Sequence, residues 1–278
     1  MATPILARHS SPTASAYARV TEVLPFLRID EEAPRSGDGW VTAADLTAAG
    51  DALEAYLAAE DARIRQDHGR PARPDVVATF GLHRYAWPAC LLVTMPYFLL
   101  RRVPRVPLTR VSFHRDLGRM TVDSPSFACL PDDPAAQLPQ ARVVPDAEAL
   151  RQEVREAVAA HLGPVLEAFR PRMRRGPHAL WGLITDEIVE GLWYVGHLLG
   201  MEERAVAEAE RLLPGTVASL FPGGASFRTL TGPNGERLTT RDRASCCLYY
   251  TLRPENTCVT CPRTCDTERV RRLSAEAA

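Results

Sequence analysis

Lysine is absent from this sequence, and all 33 basic residues are arginine. That excludes a lysine Schiff base and a phosphate-loop lysine. The positive groups stay protonated and present forked donors suited to planar anions. An excess of charge is missing as well: 24 % of residues are charged and the formal net charge is −1. Such a balance gives no general push toward nucleic acid or an anionic membrane. No uninterrupted apolar run approaches the roughly 18 residues of a membrane helix. The best, residues 89–100, contains Pro96, and residues 180–199 are broken by Asp186, Glu187 and Glu190. Residues 1–20 carry arginine but no apolar centre, so no secretory signal is expected. G-x-G-x-x-G, a Walker loop, a serine nucleophile elbow and H-E-x-x-H are all lacking. A cytoplasmic, reducing location is the expectation, where clustered cysteines serve as metal ligands or redox centres rather than disulfides.

What is present is 46 % hydrophobic content over 278 residues, enough for one large domain or two lobes. Residues 1–41 give no clear period. Thr42-Ala-Ala-Asp45 reads as a capping box opening a helix to about Gln66, with Leu46, Leu53, Leu57 and Ile64 at helical spacing. Residues 86–100 read as a buried helix with a candidate kink at Pro96. Two β-prone pieces, 106–113 and 119–122, flank Asp116-Leu117-Gly118 as a hairpin turn. Prolines at 125, 131, 134, 139 and 145 predict an extended linker over 123–145.

Asp146 caps a second helix with the stripe Leu150, Val154, Val158 and Leu162, interrupted at Gly163-Pro164. Trp181, Ile184, Ile188, Leu192, Val195 and Leu199 mark a third helix, and residues 202–213 a fourth. Pro233-Asn234-Gly235 sits between two short β-prone runs as a second hairpin. The expected fold is α+β and predominantly α-helical. It has an N-terminal lobe (1–122), the linker (123–145) and a C-terminal lobe (146–278) whose cysteine-rich segment spans 241–265.

Five of the seven cysteines fall in that segment, with the core pattern C-C-x10-C-x2-C. The two residues between Cys258 and Cys261 let both thiolates turn to one metal while the backbone curls around it. Cys246 and Cys247 are adjacent, and in a regular strand adjacent side chains point to opposite faces. Both can ligate only where the backbone is irregular, and a two-iron cluster, with its wider footprint, eases that demand. Four cysteines can also hold zinc, but a zinc ribbon usually supplies two short knuckles and only one is present. Spacing favours iron–sulfur over zinc, and either over a disulfide.

The run Arg243-Ala-Ser-Cys-Cys-Leu-Tyr-Tyr followed by Cys-Val-Thr-Cys-Pro resembles the signature of the FhuF-type ferric siderophore reductases. The resemblance covers residues 243–262. It implies a [2Fe–2S] cluster held by Cys246, Cys247, Cys258 and Cys261, and one-electron reduction of a ferric siderophore, hydroxamate type favoured, to release Fe(II) in the cytoplasm. Cys265 lies outside the pattern and is expected to be a bystander thiol. With no nicotinamide or flavin fingerprint, the electron is expected from a separate donor protein: a ferredoxin, flavodoxin or reductase. Two other readings stand beside this one: a non-enzymatic four-cysteine zinc module, and an iron- or redox-sensing accessory protein of siderophore metabolism.

Arg243 and Arg263 flank the ligands, where cations would stabilise the more negative reduced cluster; the competing reading is a solvated charge. The runs Arg101, Arg102, Arg105, Arg110 and Arg170, Arg172, Arg174, Arg175 are candidate docking faces for an acidic donor or anionic siderophore, or ordinary solvated surface. His83, His114 and His197 are candidate pocket residues, with hydrogen-bonded core histidines as the plainer reading. Trp181, Trp193 and Tyr194 read as core more than as a siderophore cradle. Cys90 and Cys129 read as small buried apolar residues. The cysteine segment, rich in Thr, Pro and Arg, is expected to have little apolar area of its own.

Overall fold

The computed structural model describes residues 11–48, 50–215 and 220–276. Helix α1 (Ala14–Val23) precedes strands β1 (Arg28–Asp30) and β2 (Trp40–Thr42). Helices α2 (Ala43–Thr47), α3 (Asp51–His68) and α4 (Pro74–Leu100) follow. Five short strands come next: β3 (Arg102–Pro104), β4 (Val111–His114), β5 (Arg119–Val122), β6 (Phe127–Cys129) and β7 (Ala141–Val143). The second half holds α5 (Ala147–Phe169), α6 (Pro177–Leu198), α7 (Glu202–Leu212), β8 (Phe227–Thr231), β9 (Arg237–Arg241) and α8 (Asp266–Glu276). The architecture is α+β and mainly helical.

Helix α4 is the axis of the molecule. It is long and apolar enough to cross a membrane by length and composition, yet most of it is buried inside the protein. Pro74 starts it, because a missing N–H costs nothing in the first turn. Pro88 and Pro96 lie within it. Pro96 has no N–H to offer the carbonyl of Leu92, and the Tyr17 hydroxyl of α1 donates to that carbonyl instead, at 2.8 Å. The helix expected over 86–100 starts instead at Pro74 and runs 27 residues, and its orphaned carbonyl is met by a neighbouring helix.

The helix expected from Thr42 to Gln66 is split in two. Its capping box is present: Asp45 N–H donates to the Thr42 hydroxyl and Thr42 N–H to the Asp45 carboxylate, both at 3.1 Å. The Thr47 hydroxyl then bonds back to the Ala44 carbonyl, α2 ends, and Gly50 caps the start of α3. Helix α5, by contrast, runs unbroken through Gly163-Pro164. The strand expected at 106–113 begins only at Val111, because Leu108–Arg110 form a 3₁₀ turn behind Pro107. It pairs antiparallel with β5 across a turn in which Gly118 has φ +58°, inside the order β1-β5-β4-β2.

The segment 123–145 is more than an extended linker. Strand β6 pairs antiparallel with β3, β7 adds in parallel, and the Arg102 guanidinium chelates Asp133 at 2.7 Å. Its prolines sit in the turns around these strands. The residues flanking it share one hydrophobic core, in which Tyr17, Leu82 and Leu92 lie with Leu162, Ile188 and Leu212. Its two sides are thus packed as one body. The hairpin β8–β9 forms where Pro233-Asn234-Gly235 predicted it.

Candidate metal centre

The stripe Gly182, Asp186, Glu190 repeats every four residues along one face of α6, and that face carries the cysteine segment. Asp186 is fully buried. One of its oxygens accepts from Arg241 Nη2 at 2.6 Å and the Ala244 amide at 2.9 Å; the other accepts from the Ser245 amide at 2.9 Å. A single carboxylate therefore fixes the backbone immediately ahead of Cys246. Gly182 permits the approach, since a Cβ there would lie 3.2 Å from the Ala244 carbonyl oxygen. Arg241, also fully buried, adds Glu190 at 3.0 Å and the Ala225 carbonyl at 3.1 Å. Arg175 reaches the Ser245 hydroxyl at 3.0 Å.

Past this clamp the backbone leaves regular structure. Leu248 has φ +63°, the left-handed region that non-glycine residues seldom occupy. This is the irregularity that adjacent ligands require. The Leu248 amide donates to Cys246 Sγ at 3.4 Å. In the knuckle, the Arg263 amide donates to Cys261 Sγ at 3.5 Å, and the Thr260 hydroxyl lies 3.8 Å from Cys258 Sγ and 3.2 Å from Glu190 Oε1. With one proton, that hydroxyl serves one acceptor at a time. Cys246 and Cys261 thus each accept from the amide two residues after them, the Thr260 hydroxyl is within reach of Cys258, and Cys265 has no donor among the described residues.

The apolar side of the segment is larger than its composition suggested. Leu252 and Leu248 pack with Ile64, Val76 and Val77 at the junction of α3 and α4. Tyr249 stacks on Phe80 with ring centroids 6.2 Å apart. On the far side, Arg269 of α8 is buried and donates to the carbonyls of Thr264, Arg241 and Cys261 and to the Asp242 carboxylate. The sequence reading missed this helix and this arginine. The signal for Asp186 and Glu190 was their four-residue spacing on an otherwise apolar helix, a spacing read there only as interruption.

Cys261 is buried, Cys246 and Cys247 are half-buried, and Cys258 and Cys265 are exposed. Burial pushes the Cys247 thiol up, Arg243 opposes that, and Cys258 and Cys246 lie within electrostatic reach of it. Among the described residues, no three Cys, His, Asp or Glu side chains converge tightly enough to hold a single metal ion. The sulfurs that receive N–H and O–H donors fit an iron–sulfur group, whose thiolates are stabilised by such bonds.

The other candidates separate into individual partnerships. His83 Nδ1 lies 2.6 Å from Glu187 Oε1, and that carboxylate holds its imidazole above the usual histidine range. His114 accepts from the amides of Asp116 and Leu117, and His197 meets Glu202. Trp181 stands edge-on to Phe221, and Trp193 donates to Glu202. Tyr194 is exposed. Cys90 and Cys129 are buried. The first arginine run is spent on ion pairs: Arg101 with Glu208, Arg102 with Asp133, Arg105 with Glu153 and Arg110 with Asp123. In the second run Arg170 pairs with Glu167 and Arg172 with Glu54, while Arg174 is exposed.

A buried carboxylate thus fixes the backbone before the paired cysteines, a left-handed turn follows them, and amides donate to Cys246 and Cys261. Residues 243–263 match the family model of the FhuF 2Fe-2S C-terminal domain. The C-terminal segment is of the FhuF type, which points to a [2Fe–2S] cluster as the cofactor and suggests the siderophore-iron reductase family. No curated protein matches the chain.

Proposed function

We propose that this protein is a cytoplasmic ferric siderophore reductase in which Cys246, Cys247, Cys258 and Cys261 hold a [2Fe–2S] cluster. The observation that carries the reading is the FhuF-type domain match over residues 243–263, which contain these four cysteines and not Cys265. When bound, the cluster supplies one-electron chemistry at a potential set by hydrogen bonds to sulfur, charge and exposure.

The chain's own residues prepare that site. Asp186 holds the turn before the cysteine pair, Leu248 and Leu252 close its α3–α4 side against water, and Arg269 ties down the knuckle. Cys258 is left as the exposed edge where a donor protein and a bulky chelate can approach in turn. The substrate iron suits this role: hydroxamate oxygens match compact Fe(III) much better than Fe(II). One electron therefore loosens the chelate.

An anaerobic visible spectrum before and after dithionite tests the cofactor, and mixing the reduced protein with a ferric hydroxamate tests the reaction. The expected result is a brown protein that bleaches and is then reoxidised as Fe(II) appears. A colourless four-cysteine protein containing zinc, or a coloured one that never reduces the chelate, would overturn the reading. Replacing Cys246, Cys247, Cys258 or Cys261 with serine should abolish the colour, whereas Cys265→Ser should keep it. The reverse pattern would sink the ligand set.

A further inference from the structure

Arg243 stands three residues ahead of Cys246, and its side chain is only 9 % exposed. Its Nε and Nη2 atoms are buried and have no hydrogen-bond partner among the described residues. These two nitrogens share one edge of the guanidinium, the fork that grips two acceptors at once. A buried charged donor left unused costs free energy and calls for an acceptor.

The charge is kept in place by the acids of α6, Asp186, Glu190 and Glu187. They do not fill the fork. Asp186 Oδ2 lies 3.5 Å from Nε, without hydrogen-bond geometry, and its carboxylate is already taken by Arg241 and two amides. Glu190 Oε1 accepts from Arg241, and Glu187 Oε1 meets His83. Cys247, four residues on, is among the groups whose charge acts on Arg243. Arg263 contrasts with it: exposed, and spread over the Tyr250 ring at 4.1 Å.

We propose that the free Nε–Nη2 edge of Arg243 donates to sulfur of the [2Fe–2S] group on its Cys247 side, so that Arg243 is the positioning residue that favours the reduced, more negative cluster. This rests on the functional reading above. Glu187 Oε2, also buried and unpartnered, defines the competing arrangement, a closed Arg243–Glu187 pair that leaves the cluster alone.

The test uses the full-length, cluster-loaded protein labelled with guanidino-¹⁵N arginine and reduced with dithionite. Pulsed EPR should detect a guanidino nitrogen coupling that survives in Arg263→Met and vanishes in Arg243→Lys. In a redox titration read at the wild-type midpoint, Arg243→Met should lower the reduced-to-oxidised ratio about tenfold, about 59 mV for one electron, with Arg243→Lys falling between and Arg263→Met within about twofold of wild type. A coloured wild type without the coupling overturns this inference alone. So does a coupling retained in Arg243→Lys, or an equal shift in the Arg243 and Arg263 variants. Should the Arg243 variants fail to hold the cluster, the wild-type coupling decides. A colourless wild type overturns the functional reading together with this inference.

Discussion

Toward α4, helix α6 offers Gly191 against Leu91 and buries Ile184, Ile188 and Val195 in the common core; toward the cysteine segment it offers Gly182, Asp186 and Glu190. One face is held by apolar area, which is non-directional and tolerant of small shifts. The other is held by a buried carboxylate, two arginines and two backbone amides, which are directional. The lesson is a division of labour along a single helix. Burial makes the body, and satisfied buried polar groups set where the cysteines stand. Such a network is demanding, because each partner left alone pays its full desolvation cost.

The largest effect should come from cutting the directional face. Asp186→Ala removes one of the two acid partners of Arg241 and frees the Ala244 and Ser245 amides, a loss of about 3–5 kcal/mol by analogy with broken buried ion pairs. Denaturant melts followed by helical circular dichroism and by cluster absorbance should separate: the colour is lost early and the helices late. Ile188→Ala, costing about 2–5 kcal/mol in the apolar core, should instead lower both transitions together. Coincident transitions in the Asp186 variant would break the comparison between the two faces.

Tyr17→Phe probes a polar contact inside the apolar body. It leaves the Leu92 carbonyl, already deprived of a donor by Pro96, without its hydroxyl partner. The expected cost is about 1–3 kcal/mol, the penalty for one unsatisfied buried group. Thermal unfolding should shift down while the visible spectrum stays as in wild type. A changed spectrum would show that the body and the cysteine segment are less separable than argued.

This division also explains what the sequence could show. The stripe Trp181, Ile184, Ile188, Leu192 is periodic within one helix, so α6 was legible, as were Asp146 as a cap and Pro233-Asn234-Gly235 as a turn. Asp186 and Glu190 appeared as breaks in that apolar run, because their partners, Arg241 and the Ala244 amide, lie more than 50 residues away. The cysteine motif was legible as a spacing, and so was the need for irregular backbone between Cys246 and Cys247. The left-handed turn at Leu248 that supplies it carries no glycine or asparagine to announce it. Helix α8 was missed because its residues are mostly charged and its docking rests on Arg269, which acts through main-chain carbonyls. The arginine runs were legible only as charge, since a run records neither Glu208, Asp133 nor Glu153 waiting across the fold.

The smallest effect concerns acid. Asp242, Asp266 and Glu268 join α8 to the β8–β9 hairpin and to itself. Burial pushes Asp242 up, but hydrogen bonds from Arg269 and Arg228 hold it below the usual aspartate range. The Arg228 hydrogen bond lowers Asp266, and Arg271 and Arg272 hold Glu268 down to about 2. Depressed carboxylates contribute stability that is complete above their ordinary values near about 4 and is lost as pH falls through the folded values. These groups are largely exposed, so screening keeps the contribution small. Hydrogen exchange, corrected for its intrinsic pH dependence, should show α8 losing protection between about pH 4 and pH 2 while α4 keeps its own. Arg228→Met should flatten part of that loss, because Asp266 loses the partner that lowers it while Asp242 keeps Arg269. Protection of α8 that stays level in wild type down to that pH, or that falls in step with α4, would mean the C-terminal helix is held by something other than its ion pairs.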